Sequence, residues 1–209
     1  MLSQTYRLEQ LGWNGILIEP LRECADKLRA ARRARIYEVA AGAPEDEGRE
    51  LPLLVAGALS TLQASTVEDS RSSEIRQVPV RTLDSILAEV GFDRVDFLSV
   101  DVDGAELAVL RGLSIARYRP RLILIEDDVQ DLSKHRYLCA RSYKLVRRTA
   151  LNNWYVPIGT PFPISPFGRW QLFRKLYLGT WLRRWKRRRK LRRRASAVGQ
   201  TPAEASRPK

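Results

Sequence analysis

Three carboxylate side chains, those of Asp101, Asp103 and Glu106, lie within six residues of each other in the segment LSVDVDGAELAVLRGL. Gly104 lies between them and permits a tight turn. Like charges at this spacing raise the pKa of a carboxyl group, which can then act as a base or as a ligand of a cofactor or metal. Helix capping is the alternative, with Asp103 near the N-cap and Glu106 in the first turn. We expect a functional site at Asp101 and a capping role at Glu106.

A fourth acid, Glu19, ends the apolar run GILI. In nucleotide-binding folds a carboxylate at the end of a strand accepts hydrogen bonds from ribose hydroxyl groups. Glu19 has the acceptor-only side chain that this role requires. Strands also commonly end in polar residues that only meet solvent. By strand position alone, the sequence supports these two interpretations equally.

Short apolar runs alternate with segments of helical pattern over residues 1–157. Continuous apolar strands of this kind predict a mainly parallel sheet flanked by helices, with ligands bound at the carboxyl ends of its strands. The predicted strands span residues 15–20, 36–40, 51–55, 76–81, 95–100, 121–126, 143–148 and 153–156. The predicted helices span residues 21–33, 82–90, 106–111 and 131–141. The last of these carries His135, which we expect to be a solvated surface residue.

The net charge of +13 over 209 residues is concentrated at one end of the chain. Residues 158–209 hold 15 basic residues and one acid, whereas residues 1–157 hold 22 basic residues against 23 acids. The charge of the whole chain is therefore no evidence that the body binds nucleic acid. No apolar run reaches the ~18 residues of a spanning helix, and the first residues lack a signal-peptide pattern. We expect a cytosolic protein.

Composition divides the chain into four segments. Residues 1–157 form the predicted domain, and residues 158–166 form a proline-rich linker. Residues 167–194 are predicted to be a basic, aromatic amphipathic helix, and residues 195–209 are predicted to be a disordered tail.

The predicted helix over residues 167–194 carries five aromatic residues on one face. Its rings recur at helical spacing: Trp170, Phe173, Tyr177, Trp181 and Trp185. Residues 169–194 also hold 13 basic residues and no acid. This pattern favours a helix in the headgroup region of an anionic membrane, at the inner membrane face. The alternatives are docking of this aromatic face on residues 1–157 and, less favoured, binding of nucleic acid.

Six segments of the chain together resemble the FkbM-type S-adenosylmethionine-dependent methyltransferases: GILIEP, VAAG, LSTL, VRTLDSIL, FLSVDVDGAELAVLRGL and RLILIE. The resemblance runs from about Thr5 to Val156. It implies a class I methyltransferase fold, which is an α/β, Rossmann-like and mainly parallel sheet with a C-terminal antiparallel hairpin. It also implies methyl transfer from S-adenosylmethionine to a hydroxyl of a sugar, glycan or small natural product.

The same resemblance implies roles for particular residues. Glu19 would hold the ribose of the methyl donor. The adenine pocket would be lined by Ala40, Ala41 and Ser60. Asp101 and Asp103 would be the catalytic residues near the acceptor hydroxyl, and Asp101 would also contact the donor. No Cys/His cluster has metal-ligand spacing, so no metal ligand is assigned and any metal ion would depend on the carboxylates.

One part of the family pattern has no counterpart in the sequence. The family's first strand and glycine-rich turn precede a helix start that matches the segment SQTY, and only Met1 and Leu2 precede SQTY here. That strand would lie between the strands that end at Glu19 and Asp101, so its loss would leave two unpaired edges. The chain is then either truncated, with the strand encoded upstream, or an inactive remnant whose tail binds a membrane surface or polyanion. We favour truncation, because the site acids are intact.

We predict that the 209-residue chain by itself binds S-adenosylmethionine weakly or not at all. The reason is that the glycine-rich turn would supply the backbone N–H groups that approach the donor most closely. Isothermal titration calorimetry of the purified chain measures this binding. A micromolar dissociation constant would contradict the prediction.

Overall fold

The computed structural model describes residues 5–55, 74–127 and 132–179. The chain divides into two units, one of residues 1–127 with 133–161 and another of residues 128–132 with 162–209. The first unit is a mixed α/β fold, which confirms the predicted class at that level. The predicted segment boundaries after residues 157, 166 and 194 stay predictions.

The described strands and helices of the first unit follow the predicted alternation. The strands are β1 (Ile16–Ile18), β2 (Arg35–Tyr37), β3 (Ala40–Ala41), β4 (Glu50–Val55), β5 (Glu74–Arg81), β6 (Phe97–Val100), β7 (Leu122–Glu126), β8 (Tyr143–Thr149) and β9 (Asn152–Pro157). The α-helices are α1 (Tyr6–Gln10), α2 (Arg22–Ala31), α3 (Leu83–Val90), α4 (Glu106–Arg111), α5 (Ile115–Tyr118) and α6 (Ser133–Cys139). Every predicted element overlaps one of these.

The predicted strand over residues 36–40 divides into two pieces with different partners. β2 pairs in parallel with β1, whereas β3 pairs in parallel with β5, where Ala40 lies opposite Val80. The chain therefore passes from one sheet to another between Tyr37 and Ala40. Apolar content did not reveal this division, because long-range pairing decides which strand each piece joins.

The described strands form three sheets. β1 and β2 form the first, β3, β5 and β4 form the second in that order, and β6, β7, β9 and β8 form the third. β6 and β7 are parallel, whereas β9 is antiparallel to both β7 and β8. In the described part of the chain, β1 and β6 each pair on one side only. All three residues of β1 are half-buried.

The main core of the first unit surrounds β7. The three central residues of this strand are all buried. Helices α3, α4 and α5 contribute to the same cluster, and its fully buried members include Leu110, Tyr118, Ile123, Ile125 and Tyr155. Each such side chain contributes about 1.5–3 kcal/mol through its burial. The strand that ends at Glu126 is thus anchored by the best-packed part of the unit.

Gly112 brings the end of α4 against the backbone that follows β3. A Cβ atom at Gly112 would lie 2.2 Å from the carbonyl oxygen of Gly42. Both backbones are also held by hydrogen bonds, since Gly42 N donates to Arg81 O at 3.0 Å and Asp84 N donates to Gly112 O at 2.9 Å. No side chain fits at Gly112 unless one of these backbones moves.

Replacing Gly112 by alanine is expected to destabilise the protein by about 1–3 kcal/mol, because the added methyl group forces packed backbones apart. Urea unfolding measures the change in the free energy of unfolding. Gly15→Ala is the matched control, because a Cβ atom there meets nothing within 4 Å. Equal effects of the two substitutions would show that the close approach at Gly112 is wrong.

The described part of the second unit contains one helical segment. An α-helix, α7, spans Pro166–Phe173 and continues as a π-helix over Arg174–Leu178. Ser165 caps its start, because the Ser165 hydroxyl oxygen accepts a hydrogen bond from Gly168 N at 3.1 Å. The rest of the helix predicted to residue 194, and the tail over residues 195–209, lie outside the described residues. None of the described helices is long and apolar enough to span a membrane.

Candidate active site

Two acids lie side by side at the carboxyl ends of β6 and β7. The parallel register pairs Val100 with Ile125, so Asp101 and Glu126 follow at neighbouring positions. Adjacent strands are about 4.8 Å apart, which is close enough for carboxyl groups to meet. The Asp101 carboxyl group is close enough to act on Glu126 through a side-chain hydrogen bond, which raises the pKa of Glu126. Because such a bond between two carboxyl groups needs a proton, the pair holds one proton below a pH of about 7 and releases it above that pH.

The ionisation of Glu126 is shifted towards neutral pH. The hydrogen bond with Asp101 raises the pKa of Glu126 to about 7, and burial and the charges of three neighbouring acids act in the same direction. A carboxyl group with this pKa gains and loses its proton near physiological pH, which is the property of an effective general base.

The turn after β6 carries a third acid, Asp103. Its φ is 44° and that of Gly104 is 103°, in the left-handed region that Asp tolerates better than most residues. Burial, together with the charges of Asp101 and Glu106, raises the pKa of Asp103. Asp103 does not cap α4, because the N-cap is Ala105.

Glu106 forms a largely buried ion pair with Lys134 that was not predicted from the sequence. Glu106 Oε1 accepts a hydrogen bond from Gly104 N at 2.9 Å, which stabilises the turn as expected of a capping residue. Lys134 Nζ lies 3.3 Å from Glu106 Oε2 and 2.9 Å from Asp127 Oδ1. Only 5% of the Glu106 side chain and 2% of the Asp127 side chain are exposed. Lys134 therefore connects the turn after β6 to the end of β7. Removing one partner of a buried ion pair costs about 3–5 kcal/mol, so this connection is strong.

Asp127 is held from β9 and β8 as well. Asn153 Nδ2 donates to Asp127 Oδ2 at 3.1 Å, and Arg148 Nη1 donates to Asn153 Oδ1 at 2.6 Å. Arg148 Nη2 also donates to the backbone oxygen of Asp127 at 2.8 Å. Burial acts to lower the pKa of Lys134, but its hydrogen bond with Asp127 and the charge of Glu106 outweigh that effect and raise it. Asp127 therefore fixes the end of β7, and Glu126 remains for the pair with Asp101.

Glu19 follows β1 and is half-buried. Glu19 Oε1 accepts a hydrogen bond from Leu21 N at 3.0 Å, and Oε2 accepts none from the described residues. Burial raises the pKa of Glu19, and the Leu21 bond partly offsets this effect. The group is thus a half-buried carboxylate with one oxygen available to a ligand.

The other predicted donor-binding residues are placed only in part. Ala40 and Ala41 are both buried in β3, whereas Ser60 lies outside the described residues. The structure brings Asp101 and Asp103 together beside the third sheet, while Glu19 and the two alanines lie on the first two sheets. The roles assigned to all of these residues stay predictions.

Glu126, Asp127 and Lys134 were not among the site residues predicted from the sequence. A signal for Glu126 was present, because it follows the buried run LILI just as Glu19 follows GILI. No comparable signal marked Lys134, because its neighbours Glu106 and Asp127 are distant in the sequence and meet it only in the fold.

The prediction that His135 is a solvated residue is wrong. His135 Nδ1 lies 3.2 Å from the hydroxyl oxygen of Tyr155, and Tyr155 is almost fully buried in β9. Burial lowers the pKa of His135. Nothing in the sequence around His135 indicated its contact with Tyr155 of β9.

A protein-family model matches most of the residues of the first unit. The methyltransferase FkbM domain matches residues 2–145, a range that contains Glu19, Asp101 and Glu126. The chain belongs to the FkbM methyltransferase family. This result confirms the resemblance found in the sequence.

One curated relative matches part of this FkbM family chain. A stretch of 64 residues, 29% of the chain, is 33% identical to the AMB antimetabolite synthetase AmbE of Pseudomonas aeruginosa. The chain spans only 3% of the length of that protein. No solved structure matches the chain.

The contribution of Glu126 to the stability of this FkbM family protein is expected to fall as the pH rises from 4.5 to about 7. In that range the unfolded chain has released the Glu126 proton, whereas the folded protein still holds it. Glu126→Gln cannot ionise and keeps a donor for Asp101, so it should remove this dependence and be more stable than the wild type above neutral pH.

Urea unfolding on the acidic and alkaline sides of this range measures the effect. Glu50→Gln is the control, because Glu50 is an exposed residue of β4 and its substitution should retain the dependence. The same loss of stability with rising pH in Glu126→Gln as in the wild type would contradict the shared proton.

Proposed function

We propose that the protein is an S-adenosylmethionine-dependent O-methyltransferase that acts on a hydroxyl group of a sugar, glycan or small natural product. The observation that carries this proposal is the placement of Asp101 and Glu126 side by side at the ends of β6 and β7, in a chain of the FkbM family. A hydroxyl acceptor must lose a proton as its oxygen gains a methyl group, and this pair is suited to take that proton. We further propose that the strands belong to a class I, Rossmann-like arrangement that ends in the antiparallel β8–β9 hairpin.

The residues present fit the methyl donor. Glu19 offers one carboxylate oxygen that accepts no hydrogen bond from the described residues, and ribose hydroxyl groups need an acceptor of this kind. Ala40 and Ala41 are small and apolar, so they suit the adenine ring, with Ser60 beside them by family resemblance. Asp101 would contact the donor near the reacting group. When bound, S-adenosylmethionine supplies an activated methyl group on a sulfonium centre.

The acidic residues remove the proton of the acceptor and orient the acceptor. With both carboxyl groups ionised, Glu126 takes the proton of the acceptor hydroxyl, and the hydrogen bond with Asp101 stabilises the protonated form. Asp103 lies on the adjacent turn and orients the acceptor. Lys134 is a positioning residue, because it contacts Glu106 behind that turn and Asp127 beside Glu126.

The expected size of these effects follows from general acid–base catalysis, which contributes about 10²–10⁴-fold to a rate. Holding the acceptor in line with the methyl group contributes further through proximity. Loss of the base should therefore lower the rate strongly and leave donor binding intact. Loss of Glu19 should weaken donor binding instead.

The experiment measures transfer from methyl-labelled S-adenosylmethionine, at millimolar donor, to a panel of monosaccharides, a polysaccharide and hydroxylated small molecules. We expect transfer by the wild type and a loss of about 10²-fold or more in Glu126→Gln and Asp101→Asn. Glu50→Gln is the control and should retain the wild-type rate. Transfer that Glu126→Gln leaves unchanged would refute the role of the pair.

Donor binding is followed separately by saturation-transfer NMR, which detects weak complexes. Glu19→Ala is expected to weaken binding about tenfold, because it removes a charged hydrogen-bond acceptor. Glu126→Gln should bind the donor like the wild type. A folded wild-type chain that neither binds the donor nor transfers a methyl group would contradict the proposed activity of this chain.

A further inference from the structure

The helical segment of the second unit, α7 with the π-helix that follows it, exposes four aromatic rings. Phe167, Trp170, Phe173 and Tyr177, which we term the aromatic stripe, are 68%, 52%, 47% and 43% exposed. Three of them follow each other at spacings of three and four residues, which places them along one side of a helix. Large apolar side chains that are grouped and exposed in this way mark a contact surface rather than a folded core.

Three rings of the aromatic stripe, those of Trp170, Phe173 and Tyr177, pack in sequence. The ring centroids of Trp170 and Phe173 are 6.0 Å apart, and those of Phe173 and Tyr177 are 5.2 Å apart. These contacts form a continuous apolar ridge over two turns of helix. They also reduce the ring faces that could stack on nucleic-acid bases, because Phe173 already contacts a ring on each neighbouring turn.

The surroundings of the aromatic stripe are positively charged. Arg169, Arg174 and Lys175 are exposed on the same helical segment. Residues 158–209 contain 15 basic residues and a single acid, Glu204. Basic residues near an anionic bilayer contribute about 1 kcal/mol each, whereas exposed aromatic rings favour the boundary between headgroups and acyl chains.

We propose that this helix lies in the interface of an anionic lipid membrane, with the aromatic stripe inserted at the level of the acyl-chain boundary and the basic residues among the headgroups. Charge complementarity and the exposed aromatic ridge both favour this partner. Nucleic acid would satisfy the charge, but it would leave the ridge of mutually packed rings without a role. This proposal does not rest on the proposed methyltransferase activity.

The full chain is tested by co-sedimentation with vesicles of phosphatidylglycerol and phosphatidylcholine, and with vesicles of phosphatidylcholine alone. We expect binding to the anionic vesicles at low salt and weaker binding at high salt, because salt screens the headgroup charge. No sedimentation with anionic vesicles at low salt would overturn the proposal. So would binding to a homopolymeric RNA in the absence of vesicle binding.

The double variant Trp170→Ser with Phe173→Ser separates insertion from charge alone. It keeps every basic residue, so we expect its partition to anionic vesicles to fall about tenfold. Leu11→Ser with Trp13→Ser is the matched control, because it removes two exposed apolar side chains from the first unit. This control should bind like the wild type, and circular dichroism checks that both variants are folded.

Lipids with brominated acyl chains give a second measurement that needs no variant. The chain contains five tryptophans, and bromine quenches tryptophan fluorescence only at short range, so insertion of the helix that carries Trp170 should quench part of the fluorescence on anionic vesicles. Sedimentation without quenching, or equal binding of the stripe variant and the wild type, would show contact by charge alone and contradict insertion.

Discussion

The parallel register of β6 and β7 is the constraint on which the candidate site depends. Because Val100 lies opposite Ile125, the next residues of the two strands bring two carboxyl groups to one place. Two adjacent carboxylates repel each other, so Glu126 keeps its proton up to a pH of about 7. The buried core around β7 keeps that register, since a shift by one residue would turn its apolar side chains out of the core.

The largely buried side chain of Lys134 stabilises this arrangement. Lys134 contacts Glu106, which closes the turn after β6, and Asp127, which follows Glu126. The interaction is intramolecular and largely removed from solvent, so salt should screen it little. It therefore couples the two turns that carry the acids to a single helix, α6. The acids of the site keep their relative positions although they belong to separate loops.

The two units have different physical characters. The first has nearly balanced charge and a conventional apolar core, and it carries the acids that suit methyl transfer. The second is strongly basic and exposes aromatic rings along a helix. A function in catalysis and a function in attachment are thus supported by different residues. The net charge of the chain reports only on the second.

The sequence by itself determined the family and the alternation of strands and helices, and it marked Asp101 as a candidate site residue, because these rest on local patterns and short motifs. It did not reveal that residues 36–40 belong to two sheets, nor that His135 is half-buried. Only the tertiary structure decided the partner of Asp101, because strand register places Glu126 beside it. The same holds for Lys134, since its neighbours Glu106 and Asp127 converge through packing. Local patterns specify elements, whereas the chemistry of a site depends on contacts between elements.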